Sequence, residues 1–256
     1  MTPSNTVPDL RERLDEGVPG LVGLSALLLA RGVLFPALHG LIAVFLAAAG
    51  ALNPWFAAGQ WWTVTGTLAN LLTLWILLGL LRREGSTFRT LLREGAGTLP
   101  GPLAAAGVIL VLAGVTAVSV VLFARAFMAG FQSAVTILIS PIPLWGALIG
   151  GIGFPISLAL VELPFYYGYL MPRLRAGGVP TGAALALCVV FHTAQHVALP
   201  FLPAVPYFLY RLLMLAPFAL IAASALLWRP RLMLHLMIAQ GALNAAAGIL
   251  LVIRAV

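Results

Sequence analysis

Lysine is absent from this chain, so every cationic side chain other than histidine is an arginine. Acids are scarce as well: seven in 256 residues, and beyond Glu94 only Glu162. Charged residues make up 8% of the sequence, against about 25% in ordinary soluble domains. Hydrophobic residues make up 62%, with a mean hydropathy of +1.07. Too little polar surface is present to cover a globule in water, so the solvent is lipid, where a spanning backbone must close its own hydrogen bonds. A soluble enzyme is excluded. The expectation is an all-α, polytopic integral membrane helical bundle. The lone Cys188 excludes an intrachain disulfide and, inside an apolar run, reads as a buried and inert thiol. The net charge of +7 comes from arginines lying between apolar runs. That pattern reports cytoplasmic loops under the positive-inside rule and argues against a nucleic-acid partner.

Residues 1–17 mix acids and bases without the basic-then-apolar pattern of a cleaved leader, and read as a cytoplasmic tail. Residues 18–256 form a single membrane domain. The first apolar run, 18–52, is interrupted by Arg31. It reads as an interfacial lead-in followed by a span over 33–52, with Pro36 in the first helical turn. Further spans are expected over 61–81, with Trp61 and Trp62 as interface anchors, and over 102–123, ending before Arg125. Residues 131–150 carry Pro141, Pro143 and several glycines, and arginine placement favours a segment that does not cross. The remaining spans are 151–171, 181–199, 212–228 and 232–253. The total is about seven, or eight if 131–150 crosses.

An ionisable residue inside a membrane span is a functional-site hypothesis by default, and Glu162 is the one acid so placed. At a helical rise of 1.5 Å it lies about 14 Å from the arginine-rich end of its span. His192 and His196 fall about 16 and 22 Å into theirs, and Gln240 and Asn244 about 12 and 18 Å into the last. Each of these pairs is four residues apart and shares a helix face. By the same spacing Glu162, Tyr166 and Tyr169 share one, whereas His235 falls opposite Asn244. His39, without a charged neighbour, reads as a packing histidine. A desolvated glutamate can take a proton from water, a histidine can hold that water, and an asparagine amide can donate to a developing oxyanion. Glu162, His192 and His196 also form a two-His-one-carboxylate set, so a divalent metal is an alternative; no other cofactor is implied. Against these stands packing alone, since Gln and Asn often simply join membrane helices.

The residues resemble the CAAX-protease and bacteriocin-processing family of intramembrane proteases. Its first motif, Glu-Glu-x-x-x-Arg-Gly, is similar to the stretch from Glu162 to Gly168, with Glu162 as the first Glu and Gly168 as the Gly. Its Phe-x-x-x-His motif resembles His192-Thr193-Ala194-Gln195-His196, and its His-x-x-x-Asn motif resembles Gln240-Gly241-Ala242-Leu243-Asn244. Leu163, Tyr167, His192 and Gln240 depart from the family's Glu, Arg, Phe and His. The resemblance implies a hydrolase cutting a peptide or protein substrate near the cytoplasmic face of a bacterial inner membrane. Glu162 and His196 would activate water and Asn244 would hold the oxyanion, with His192 and Gln240 beside them. The four departures imply, as the alternative, an inactive relative serving as a membrane scaffold or immunity-type binding protein.

Overall fold

The computed structural model describes residues 19–93 and 101–255. The tail expected over residues 1–17 and Glu94 lie outside them. In chain order the helices are α1 (Leu21–Ala48), α2 (Pro54–Gln60), α3 (Trp62–Arg83), α4 (Phe88–Arg93), α5 (Pro102–Phe127) and α6 (Phe131–Leu138). There follow α7 (Leu144–Leu163), α8 (Met171–Ala176), α9 (Thr181–Ala194), α10 (Val205–Met214), α11 (Ala216–Trp228) and α12 (Met233–Ile253). A π-helical turn, Pro164–Leu170, makes α7 and α8 one continuous rod. Among the described residues six runs are long and apolar enough to cross a membrane, and a seventh, Thr181–Val197, is shorter. The protein is an all-α membrane bundle.

Where the helices depart from the expected spans, burial of the polar residues explains it. Arg31 does not break the first run: α1 is continuous over 28 residues, with Pro36 in its interior instead of its first turn. Arg31 lies on the helix's buried stripe with Leu24, Leu28, Phe35, His39 and Ala43, so its charge is met inside the bundle. α5 likewise runs on through Arg125 to Phe127. Trp62 is no interface anchor: it is buried, and its indole N–H donates to the Leu138 carbonyl at 2.7 Å. At eight residues α6 reaches about 12 Å, too short for a hydrocarbon core of about 30 Å. Proline punctuation then ends it, and α7 begins immediately after Pro143, earlier than expected. His39 packs as expected, its Nε2 3.1 Å from the Trp55 carbonyl and its ring against the indole.

α7 is the central helix, and small residues let its neighbours approach. A Cβ on Gly150 would lie 2.1 Å from Thr63 Oγ1, and one on Gly153 2.9 Å from Thr67 Cγ2, so this side is pressed against α3. On the other side Gly151 meets Gly248 of α12, where an added Cβ on Gly248 would fall 2.2 Å from the Gly151 carbonyl oxygen. Lipid supplies no hydrophobic drive for helices to associate, so close backbone packing through small residues is what holds them. Pro164 then interrupts the α-helical pattern, because it has no N–H and its ring clashes with the carbonyl four residues earlier. The wider π-turn accommodates it.

Replacing Gly248 by Ala is expected to force α7 and α12 apart, at a cost of about 1–3 kcal/mol for overpacking. Thermal unfolding in detergent would show a lowered transition. Gly107→Ala, which meets open space, should leave the transition unchanged or slightly raised.

Candidate functional site

Glu162 stands at the last turn of α7, 1% exposed, and its carboxylate collects N–H donors from three other parts of the chain. On Oε1, His192 Nε2 lies at 2.9 Å and the Gln240 amide nitrogen donates as well. On Oε2, the Gln195 amide donates at 2.7 Å and Arg31 Nη2 lies at 3.5 Å. Because all four partners offer N–H groups, the acceptor-only carboxylate is the form that fits. Arg31, fully buried, also donates through Nε to Gln195 Oε1, so the guanidinium and the carboxylate are joined directly and through one amide.

Tyrosines from the π-turn complete the shell. The Tyr167 hydroxyl is 2.7 Å from His192 Nδ1 and 3.2 Å from the Ala219 carbonyl. Nε2 faces a carboxylate, which can only accept, so the His192 ring carries a proton there, aimed at Glu162, while the Tyr167 hydroxyl holds the other edge of the ring. Tyr166 donates to Gln195 Oε1 at 3.3 Å, and its ring stacks on His192. Tyr169 does not share the Glu162 face, contrary to expectation. Its hydroxyl donates to Glu84, which Arg173 also pairs, with the Arg173 guanidinium 3.7 Å over the Tyr169 ring. The i→i+5 bonding of the π-turn lowers the rotation per residue, which turns Tyr167 towards the site and Tyr169 away from it.

A cavity of about 380 Å³ adjoins the carboxylate, lined on its polar side by Glu162, His196, Gln240, Asn244 and Arg211. The rest of its wall is apolar, with Trp62, Phe154, Leu158 and Phe218 among the lining residues. His196 Nε2 has no hydrogen-bond partner and stands 3.7 Å from Glu162 Oε2, while Gln240 Oε1 is also unpartnered. Asn244 donates from Nδ2 to the Gln240 carbonyl at 2.9 Å. Of the five residues singled out by sequence, Glu162, His196, Gln240 and Asn244 share this cavity. His192 stands behind the carboxylate, holding it. His235 has no part in it, as its helical position requires.

Sequence reasoning missed Arg31, Gln195, Tyr167 as a partner of His192, and Arg211. A signal existed for Arg31. It recurs at helical spacing with Leu28, Phe35 and His39, and a cation on a buried stripe needs an anion. Arg211 and Gln195 gave no such signal, since their placement follows from helix ends that only the fold sets.

No family model, curated protein or solved structure matches the chain. The site must be read from its own geometry.

Glu162, His192 and His196 each present a ligand atom within 4.8 Å of the others. Two imidazoles and a carboxylate are a metal-ligating set. In this arrangement it does not fit a divalent ion. The carboxylate already accepts from Gln195, Gln240 and the Arg31 guanidinium, so an added cation would face a fixed positive charge 3.5 Å from the oxygen. His192 Nε2 would also have to release Glu162 to reach it.

Removing one partner of a buried ion pair strands the other, at a cost of about 3–5 kcal/mol. Arg31→Met is therefore expected to destabilise the protein by that order, and Glu162→Gln in the same chain to restore most of the loss. Unfolding of the two single variants and the double variant in detergent would measure the coupling. Additive losses would break the proposed pairing.

Proposed function

We propose that the chain is an intramembrane endopeptidase-like hydrolase resembling the CAAX-protease and bacteriocin-processing family. The observation that carries this reading is the shared cavity, where an unpartnered imidazole nitrogen faces a carboxylate oxygen and two carboxamides stand alongside. A gap of 3.7 Å between His196 Nε2 and Glu162 Oε2 is too long for a hydrogen bond. It leaves room for one water in contact with both atoms at the cavity wall. The carboxylate takes a proton from that water as its oxygen attacks a peptide carbonyl carbon. Asn244 stands on the same wall to stabilise the oxyanion. When the C–N bond breaks, the proton held at Glu162 passes to the departing amine and water's other proton stays on the new acid, leaving one carboxylic acid, one amine and Glu162 again ionised. His192, Gln195 and Arg31 hold the carboxylate in place. Arg173 and Arg175, on the same rod as Glu162, mark its cytoplasmic end and support cleavage nearer that face, and the lysine-free, Ala-, Leu-, Gly- and Arg-rich composition suits a bacterial source.

A specific observation favours a second reading. Glu162 already accepts from four N–H donors, an arrangement suited to a permanent structural anchor. In that case the chain is a non-catalytic membrane scaffold or immunity-type binding protein.

Glu162→Gln keeps the shape and removes the base. If the hydrolase reading holds, cleavage of membrane-tethered peptides by the purified full chain falls by about 10²–10⁴-fold, and His196→Ala lowers it as well. Equal cleavage by wild type and Glu162→Gln, or none with any peptide, counts against the hydrolase reading. The scaffold reading expects His196→Ala, which leaves the Arg31–Glu162 pair intact, to fold and to leave the cellular phenotype unchanged.

A further inference from the structure

The cavity holds a second polar feature that peptide hydrolysis does not account for. Arg211 is 3% exposed and lines the cavity, yet no carboxylate pairs with it among the described residues. The two carboxylates described there are engaged elsewhere, Glu162 with Arg31 and Glu84 with Arg173. Two of its nitrogens have a structural task. Nε donates to the His196 carbonyl at 2.9 Å, and Nη2 donates to the Leu199 carbonyl. Arg211 thereby clamps the end of the broken helix that follows α9. A helix C-terminus carries only about half an elementary negative charge, so a full guanidinium charge is left partly uncompensated. The third nitrogen, Nη1, has only the Met214 thioether, 3.8 Å away.

A buried cation without an anion is costly in an apolar setting, and guanidinium is suited to carboxylate and phosphate. The surroundings say what else the ligand carries. The wall is predominantly apolar, and Phe131 on α6 with Leu243 and Leu250 on α12 line the cavity while being 41–47% exposed on the outer surface. The mouth therefore lies between α6 and α12, on surface that a membrane bundle presents to acyl chains. α6 is too short to close that side as a full span would. From these observations we infer that Arg211 is an anion-recognition group, and that the cavity takes from the bilayer a single-chain anionic amphiphile. Its carboxylate or phosphate head meets Nη1 of Arg211 and its chain lies along the apolar wall towards the α6–α12 mouth. Arg211 makes no hydrogen bond or ion pair with Glu162, and this site stands apart from the hydrolase reading.

Calorimetry on the full chain in a non-ionic maltoside detergent tests this with dodecyl phosphate and laurate as probes. Dodecanol and dodecyltrimethylammonium serve as uncharged and cationic controls, and inorganic phosphate and acetate as heads without chains. Saturable binding of both anionic amphiphiles is expected, about tenfold or more tighter than any of the controls. Arg211→Gln should abolish that preference, and Arg211→Lys, which keeps the charge, should retain part of it. Equal affinity for dodecanol, unchanged binding in Arg211→Gln, or inorganic phosphate binding as tightly as dodecyl phosphate would overturn the proposal. Should Arg211→Gln not fold, Ala247→Phe fills the apolar wall without touching the clamp and must remove dodecyl phosphate binding; retained binding overturns it equally. Dodecyl phosphate binding is read without cleavage of any peptide, so the loss of the hydrolase reading leaves this result standing.

Discussion

A single buried charge pair organises this molecule. Isolated, a charged side chain at the centre of a membrane helix costs about 2.5–3.5 kcal/mol even on the lenient insertion scales. Arg31 and Glu162 escape that by meeting each other at 3.5 Å, with Gln195 bonded to both. Once they meet, α1, α7, the turn after α9 and α12 must converge on one point, because each supplies a group to the same carboxylate. The pair is thus a constraint on assembly as much as a source of stability. In a bundle where lipid is as apolar as leucine, such polar contacts and close backbone packing are the means of specifying one arrangement.

The central helix is adapted to that task along its length. In its first half, Gly150 and Gly153 press against Thr63 and Thr67 of α3, and Gly151 meets the backbone of Gly248 on α12. In its second half, Pro164 forces the π-turn that spreads three tyrosines to different targets. Tyr166 and Tyr167 reach the Gln195 and His192 shell, and Tyr169 joins the Glu84–Arg173 clamp at the other end. π-turns are rare and are found frequently at functional sites. Here the turn carries a definite geometric consequence, the placing of the Tyr167 hydroxyl 2.7 Å from His192 Nδ1.

The two open questions about the cavity share one physical root. Its polar wall is divided between a carboxylate that is saturated with donors and an arginine that lacks an acid. His196 touches both halves, its orphaned Nε2 3.7 Å from Glu162 Oε2 and its carbonyl accepting from Arg211 Nε. Chemistry at Glu162 requires the carboxylate to accept one more proton donor, a water, in addition to its protein partners. Recognition at Arg211 requires only that an anion arrive.

Much of this was legible in the sequence. The scarcity of charge dictates a membrane bundle, because a backbone in lipid has only the helix or the closed barrel available to it. A lone intramembrane acid, two histidines four apart and a Gln–Asn pair four apart mark a polar site, because helical periodicity puts each pair on one face. Arg31 was legible too, as a cation on a buried stripe facing a chain with one interior acid, but its position within an apolar run reads equally as a boundary. The failure over Tyr169 has a definite reason: spacing rules assume an α-helix, and Pro164 changes the period. What the sequence by itself determined was the solvent, the secondary structure and which side chains must find polar company. Only the tertiary structure decided who meets whom: that Arg31 takes Glu162, that His192 stands behind the carboxylate instead of in the cavity, and that Arg211 lines the cavity with carbonyls and no carboxylate for company. Those pairings depend on crossing distances and helix ends, which glycine contacts and proline breaks set across the whole bundle and which no local pattern encodes.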